Sequence, residues 1–200
     1  MIRKLIFDSV NTTERCQRNW DHNINFSNGD LELLIKVATT MPTKQNQEYY
    51  ELVVSTDIAF NKEIYKIAYH TESEKPPSYK NHYNYQVAAH ALFLWCPYTD
   101  FNNKFGDYEI TGRMSMGISA GAVALSANQL GYKTGFCACF DHDLLIEKIN
   151  NKINSNIASV EVGLGIGHPN LNFPSNKVVE NNKVIKTLDH RYKNIKVHRI

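Results

Sequence analysis

Three short runs in this 200-residue chain carry residue types that could do chemistry. Gly163-Leu164-Gly165-Ile166-Gly167 has the glycine density of a loop whose bare backbone N–H groups cradle a phosphate. Its spacing is not GxGxxG, and Pro169 keeps it from opening a helix, so the dinucleotide reading fails. Asp141-His142-Asp143 offers three possible metal ligands. Consecutive side chains rarely converge on one ion, and a helix N-terminus with capping carboxylates accounts for the run better. Cys137-Ala138-Cys139 is spaced too closely for an easy disulfide and reads as small residues in a buried strand. P-loop, HExxH, GxSxG and CxxC patterns are absent, and the eight histidines are dispersed.

The elements that must position these residues follow from periodicity and punctuation. Asp30 caps a helix from Leu31 to about Thr39, with Leu31, Leu34, Ile35 and Ala38 on one face and Met41-Pro42 ending it. Thr43 to Gln47 is a loop, and Tyr49 to Ser55 is a strand by its β-branched and aromatic content. Asp57 caps a helix through about Ala68. Residues 70–85 are polar, contain Pro76-Pro77, and suit a lid; Gln86 to Cys96 is a buried strand; Pro97 to Tyr108 is irregular and aromatic. Gly112 to Leu130 is a helix with small residues at helical spacing: Gly117, Ala120, Gly121, Ala124, and Ala127 or Asn128, with Gly131 as its C-cap. Tight packing inside the chain and packing against a symmetry mate both explain that stripe, and periodicity alone does not separate them. Lys133 to Phe140 is a strand, Asp141 or His142 starts a helix through about Ile149, Asn150 to Asn156 is a linker, and Ile157 to Ile166 is a strand. Beyond Pro169 little can be buried until Val178, Val179, Val184 and Ile185, and the chain ends in a basic tail. Such a tail is expected to pack on a partner subunit.

Composition bounds the rest. Twenty-two Lys and Arg against twenty Asp and Glu give a net charge of +2, which argues against a general electrostatic nucleic-acid binder. With 42% hydrophobic and 21% charged residues the chain is globular, and at this length it buries roughly 70% of its unfolded surface. No run approaches ~18 apolar residues, so no membrane span is expected. The start, Met1-Ile2-Arg3-Lys4-Leu5-Ile6-Phe7-Asp8, does not read as a signal peptide, and a cytoplasmic location is the expectation.

Five stretches, taken in order, resemble the nitroreductase family of FMN-dependent flavoproteins. They are Glu14-Arg15-Cys16-Gln17-Arg18-Asn19-Trp20-Asp21, Met41-Pro42-Thr43-Lys44-Gln45-Asn46-Gln47, Gly117 to Gly131, Gly135 to Asp141, and Gly165 to Pro169. Each is short; their colinearity over nearly the whole chain carries the resemblance. It implies an α+β fold with a mixed sheet flanked by helices. It further implies an interlocked homodimer with FMN at the interface, formed by a single domain over 1–200 whose C-terminal extension, 170–200, lies on the partner.

The resemblance also implies site residues. Arg15, Cys16 and Arg18, with the late Arg191, match the positions that hold the FMN phosphate, a dianion suited to forked cationic donors. The chain departs from the family at Glu14, where a further Arg is common, and at Cys16, where Ser is usual. Pro42, Thr43, Lys44 and Asn46 match the loop along the flavin ring and ribityl chain, and Asn61 matches an Asn at the pyrimidine edge in some members, although a surface helix position explains it equally. Ala138 and Cys139 match the loop whose backbone N–H groups face flavin N5, where fixed dipoles tune hydride transfer. The implied activity is hydride transfer from NAD(P)H through FMN to a nitroaromatic, quinone or similar small acceptor, with no obligatory catalytic side chain and no metal. Tyr79, Tyr83, Tyr85, Phe101, Phe105 and Tyr108 are candidates to stack over the ring. Two alternatives stand beside this: a lid-type enzyme of the same fold that cleaves flavin or removes halogen, and a flavin-binding dimer without turnover.

Overall fold

The computed structural model describes residues 2–13, 16–67, 84–98, 108–175, 177–180, 183–187 and 196–197. Its centre is β2 (Ala91–Pro97), whose uninterrupted apolar run ALFLWC is buried on both sides. Alternation along the strand sends Ala91, Phe93 and Trp95 to one face and Leu92, Leu94 and Cys96 to the other. The first face packs on α2 (Asn28–Thr40) and α4 (Tyr108–Gln129), through Leu34, Ala38, Met116, Ala120, Val123 and Ala124. The second packs on α3 (Ile58–Ile64) and α5 (His142–Ile153), through Phe60, Ile64, Leu145 and Ile149. A strand buried on both faces reads as a continuous apolar run, and two helical layers follow from it. α1 (Ile2–Thr13), which the sequence does not announce, packs against α4 and β3.

The sheet runs β1 (Tyr50–Ser55), β2, β4 (Val162–Gly167), β3 (Lys133–Cys137), so β1 and β3 are its two edges. Every pairing among the described strands is antiparallel, which corrects the expected mixed sheet. The α+β class stands. A separate hairpin, β5 (Lys177–Glu180) with β6 (Lys183–Thr187), follows, and Val178 is buried within the protomer rather than left for a partner.

Helix caps explain most boundaries. Asp57 and Asp141 accept from Phe60 N and Leu144 N, as their positions foretold. The cap of α2 is Ser27 rather than Asp30: Ser27 Oγ accepts from Asp30 N, and the Asp30 carboxylate instead accepts from the Tyr132 hydroxyl at 2.7 Å. Gly131, at φ 91°, ends α4 in the left-handed region that suits glycine. α3 stops at Ile64, short of Ala68. α5 runs through most of the expected linker to a left-handed Asn154. The strands expected from Gln86 and Ile157 begin at Ala91 and Val162, and Tyr85–Val87 forms a 3-10 turn.

The C-terminal end of α2 is tied to the sheet and to α4 by a buried relay. Trp95 Nε1 donates to Ser119 Oγ at 2.9 Å, and Ser119 Oγ donates to Ala38 O at 2.8 Å. Ala38 O also accepts from the Tyr50 hydroxyl at 2.6 Å, so a helix-end carbonyl finds two partners. Ser119 and Trp95 are fully buried. Ser119→Ala would strand the indole N–H without an acceptor, a loss of about 1–3 kcal/mol. Urea unfolding of that variant should show a clearly lower midpoint; an unchanged midpoint would mean that the relay contributes nothing.

Candidate functional site

The segment Cys16–Trp20 runs along the free edge of β3. Gln17 N donates to Thr134 O at 2.8 Å, which adds one rung to that edge. Cys16 Sγ lies 3.9 Å from Phe136 O. Arg18 is half-buried, and its Nη1 donates to Cys16 O at 2.8 Å, which folds the guanidinium back over its own segment. That bond uses one of five N–H donors. Trp20 Nε1 donates to Tyr85 O, and Asp21 N donates to His168 O just past β4. Sequence-distant pieces therefore meet along the length of the β3 edge.

Ala138 and Cys139, just past β3, are exposed. Burial pushes the Cys137 thiol up to about 12; the Cys139 backbone N–H is directed at its sulfur and opposes the rise, as more weakly does the Arg18 charge. Cys137 is thus an inert buried thiol at neutral pH. Beside Phe136, a groove of 330 Å³ is lined by Arg113, Met116, Gly117, Ala120, Glu161 and Val162. Arg113 Nε stands 3.3 Å from Glu161 Oε2 at its rim.

The second predicted segment lies elsewhere. Thr43 and Asn46 line a groove of 730 Å³ beside β1, together with Met41, Glu48 and Tyr98. Thr43 Oγ1 donates to Gln47 O, and the 3-10 turn Lys44–Asn46 holds Gln45 and Asn46 at φ 57° and 54°. Two successive non-glycine residues in the left-handed region are a costly local conformation of the kind that collects at binding loops. Pro42, Lys44 and Asn46 are exposed. β1 and β3 are three strand spacings apart, about 14 Å, so the two predicted segments lie at opposite edges of the protomer's sheet.

Asn61 is corrected. It is fully buried, its Nδ2 donates to Ala89 O at 3.0 Å, and it offers a ligand no surface. Its role is to tie α3 to the strand that follows Ala89. Arg15, Arg191, Tyr79, Tyr83, Phe101 and Phe105 lie outside the described residues, as does most of the lid-like stretch. Tyr85 is described; its ring meets Tyr65 edge-on at 5.3 Å.

Sequence reasoning missed a histidine stack beneath the Trp20–Phe26 segment. The rings of His22 and His90 are 4.8 Å apart, and His90 and His168 are 5.5 Å apart. His90 Nε2 donates to Ile24 O at 3.0 Å and His168 Nε2 to Asn25 O at 3.1 Å. No sequence signal marks them, because positions 22, 90 and 168 meet only through the fold. Among the described residues no group of three or more His, Cys, Asp or Glu is arranged to hold a metal. Burial, followed by the charges of His90 and Lys62, lowers His22 to about 4; burial, and then His168, lowers His90. Folded pKa values below the unfolded value of about 6.5 mean that the unfolded chain binds more protons in acid. The contribution to stability is then complete above pH 6.5 and lost as pH falls toward 4. Urea midpoints should be flat from pH 7 to 8 and decline steadily between pH 6.5 and 4, and His22→Gln should flatten the decline. A wild-type midpoint indifferent to pH over that window would contradict the assignment.

Glycines shape the far side of the same end. The odd positions of β4, Gly163, Gly165 and Gly167, face the α3/α5 layer, and there the Asn84–His90 stretch crosses the sheet. A Cβ on Gly165 would fall on the Gln86 carbonyl and within 3.0 Å of Ala89 Cβ; one on Gly167 would fall on the His90 ring. Gly165 is thus a seat for backbone and Gly167 a seat for an imidazole, in a strand rather than a phosphate loop.

No family model matches the sequence, and no curated protein matches it. Solved structures do. A nitroreductase family protein from Clostridium novyi NT aligns over 84% of this chain and 86% of its own, at 15% identity and a TM-score of 0.63. Nitroreductase A from Vibrio parahaemolyticus aligns over 96% and 78%, at 16% identity and a TM-score of 0.65. The NADPH:FMN oxidoreductase from Vibrio harveyi, solved with NAD+, aligns over 91% and 79%, at 16% identity and a TM-score of 0.66. With its three layers, its sheet order and these likenesses over most of its length, the chain has the nitroreductase fold.

Proposed function

We propose that the chain is an FMN-dependent oxidoreductase that acts as a homodimer and passes a hydride from NAD(P)H to a small acceptor such as a quinone or nitroaromatic. The observation that carries this reading is the convergence of Cys16–Arg18 with Phe136–Cys139 at the β3 edge, in a fold shared with an NADPH:FMN oxidoreductase. The residues fit the cofactor. Arg18 offers a forked cation for the phosphate, and the groove at Phe136 and Gly117 has the volume of a small-ligand cleft and a largely apolar lining.

Bound FMN would supply the two-electron chemistry, taking hydride from reduced nicotinamide and yielding it to the acceptor. The chain's own part is to bind and orient. Arg18 holds the anionic end. The loop at Ala138 and Cys139 is exposed just past β3, and the Cys139 N–H is already directed at the Cys137 sulfur, which leaves the Ala138 backbone as the part free to meet a ligand. No side chain is asked to move a proton.

The separation of the two predicted segments supports the dimer, since a second copy could bring its Thr43–Asn46 loop to the first copy's β3 edge. The outer face of α4 supports it too. Ile110, Met114, Ile118 and Leu125 are exposed there, and a Cβ built on Gly117 or Gly121 meets nothing within 4 Å. An apolar helix face of this kind is normally covered. Ala120, Ala124 and Ala127 of the same helix are buried against the sheet, so the small-residue stripe divides between core and outer face.

The test is the visible spectrum of the purified protein. Flavin absorbance that bleaches anaerobically with NADH or NADPH and returns with a quinone supports the proposal, together with a solution mass of two chains. Flavin that no nicotinamide bleaches favours binding without turnover. A protein that refuses added FMN ends the reading.

A further inference from the structure

Gln17 stands in the middle of the Arg18 segment, and its side chain is buried at 5% exposure. A buried amide is costly unless its polar atoms are bonded. Gln17 Oε1 accepts from the backbone N–H groups of both following residues, Arg18 N at 2.9 Å and Asn19 N at 3.2 Å. At the same residue the main chain is pinned to the sheet, with Gln17 N on Thr134 O at 2.8 Å. Its carbonyl sits tightly over Gly135, where an added Cβ would meet Gln86 Cβ at 2.9 Å and the Gln17 carbonyl closer still.

These bonds do one thing together. They fix the main chain on both sides of Arg18, whose Nη1 donates back to Cys16 O at 2.8 Å. One residue further the chain is fixed again, because Asn19 Nδ2 donates to Pro174 O at 3.1 Å and Lys177 O at 2.7 Å. Gln17 makes no bond to the guanidinium itself. We infer that Gln17 is a positioning residue for the anion-binding guanidinium of Arg18, acting through the two backbone N–H groups that it holds; this rests on the flavin reading above. A long flexible cation loses side-chain entropy when it is held in one geometry, and a main chain already fixed at its root removes part of that cost before the phosphate arrives.

The role separates from simple structural support by ligand choice, because riboflavin carries the flavin ring without the phosphate. In titrations of the apoprotein by flavin fluorescence, Gln17→Met, similar in volume but without the acceptor, should weaken FMN by about tenfold, the worth of one charge-assisted hydrogen bond. It should leave riboflavin within twofold of wild type. In an Arg18→Ala background the same change should add nothing for FMN. If Gln17→Met does not fold, Gln17→Leu, apolar and likewise without the acceptor, carries the same comparison. Equal weakening of both flavins, or of neither, overturns the inference and leaves the flavin site standing. So does failure of both variants to fold, which makes Gln17 structural only. Wild-type protein that binds neither flavin overturns the flavin reading and the inference with it.

Discussion

Gly165→Ala is expected to lower the melting temperature by about 6–12 °C, following a loss of about 3 kcal/mol in a chain of this size. The added methyl would fall on the carbonyl oxygen of Gln86 and lie 2.9 Å from its carbonyl carbon. Both atoms are backbone, and the loop that carries them has no slack. Asn84 N donates to Tyr65 O, Asn84 Nδ2 to Ile67 O, Val87 N to Asn84 O, and Trp20 Nε1 to Tyr85 O. Nor can β4 withdraw, because it is paired on both sides, to β2 and β3. Gly163→Ala is the matched control. Its methyl would meet only side-chain atoms, Phe140 Cζ at 3.0 Å and Leu94 Cδ2 at 3.1 Å, which can shift by tenths of an ångström. Scanning calorimetry should rank Gly165→Ala well below Gly163→Ala. A Gly165→Ala melt within 2 °C of wild type would mean that the loop moves freely, and the seat described for it would not exist.

That seat marks the boundary of what the residues foretold. Spacing that is not GxGxxG, with Pro169 just beyond it, marks the glycine run as a strand rather than a phosphate loop, and it is a strand. What fills the space beside the glycines is a loop nearly eighty residues earlier, which no local pattern can announce. The Asp57 and Asp141 caps, the left-handed Gly131 and the long α4 were all legible, since each depends on residues within one or two turns. Asp30, the expected α2 cap, is not the cap, for a physical reason: Tyr132, 102 residues away, engages its carboxylate, and Ser27 caps the helix instead. The mixed sheet was an expectation from resemblance; chain direction in a sheet is a property of crossovers, not of strand composition.

The site divides in the same way. The approach of Cys16 and Arg18 to the end of β3 followed from colinear motifs, and the structure brings those segments together. Asn61 failed because an exposed helix Asn and a core Asn look alike in sequence; only Ala89 O, which its amide reaches, distinguishes them. Gln17 lay inside a recognised stretch and still carried no signal, since its partners are the backbone N–H groups of its neighbours and any residue supplies those. The separation of the Thr43–Asn46 loop from Arg18 was legible only as strand order, after β1 and β3 proved to be opposite edges.

Arg18→Ala should cost FMN affinity ten- to a hundredfold while leaving the fold intact. One charge-assisted hydrogen bond contributes about 1.5–3 kcal/mol, and a tenfold change in affinity corresponds to about 1.4 kcal/mol. The fold should survive because the side chain is half-exposed and its bond within the chain is to Cys16 O, two residues away. Losing that bond frees a carbonyl close to solvent rather than one sealed in the core. Arg18→Lys keeps the charge and gives up the planar fork, so its affinity should fall between wild type and Arg18→Ala. Raising the salt concentration should weaken FMN binding by wild type more than by Arg18→Ala, because a screened charge is part of what the substitution removes. Riboflavin affinity should be the same for all three proteins. Equal FMN affinities for wild type and Arg18→Ala, measured by fluorescence titration at low ionic strength, would remove Arg18 from the site. The anionic end of the cofactor would then have to be sought elsewhere on the β3 edge.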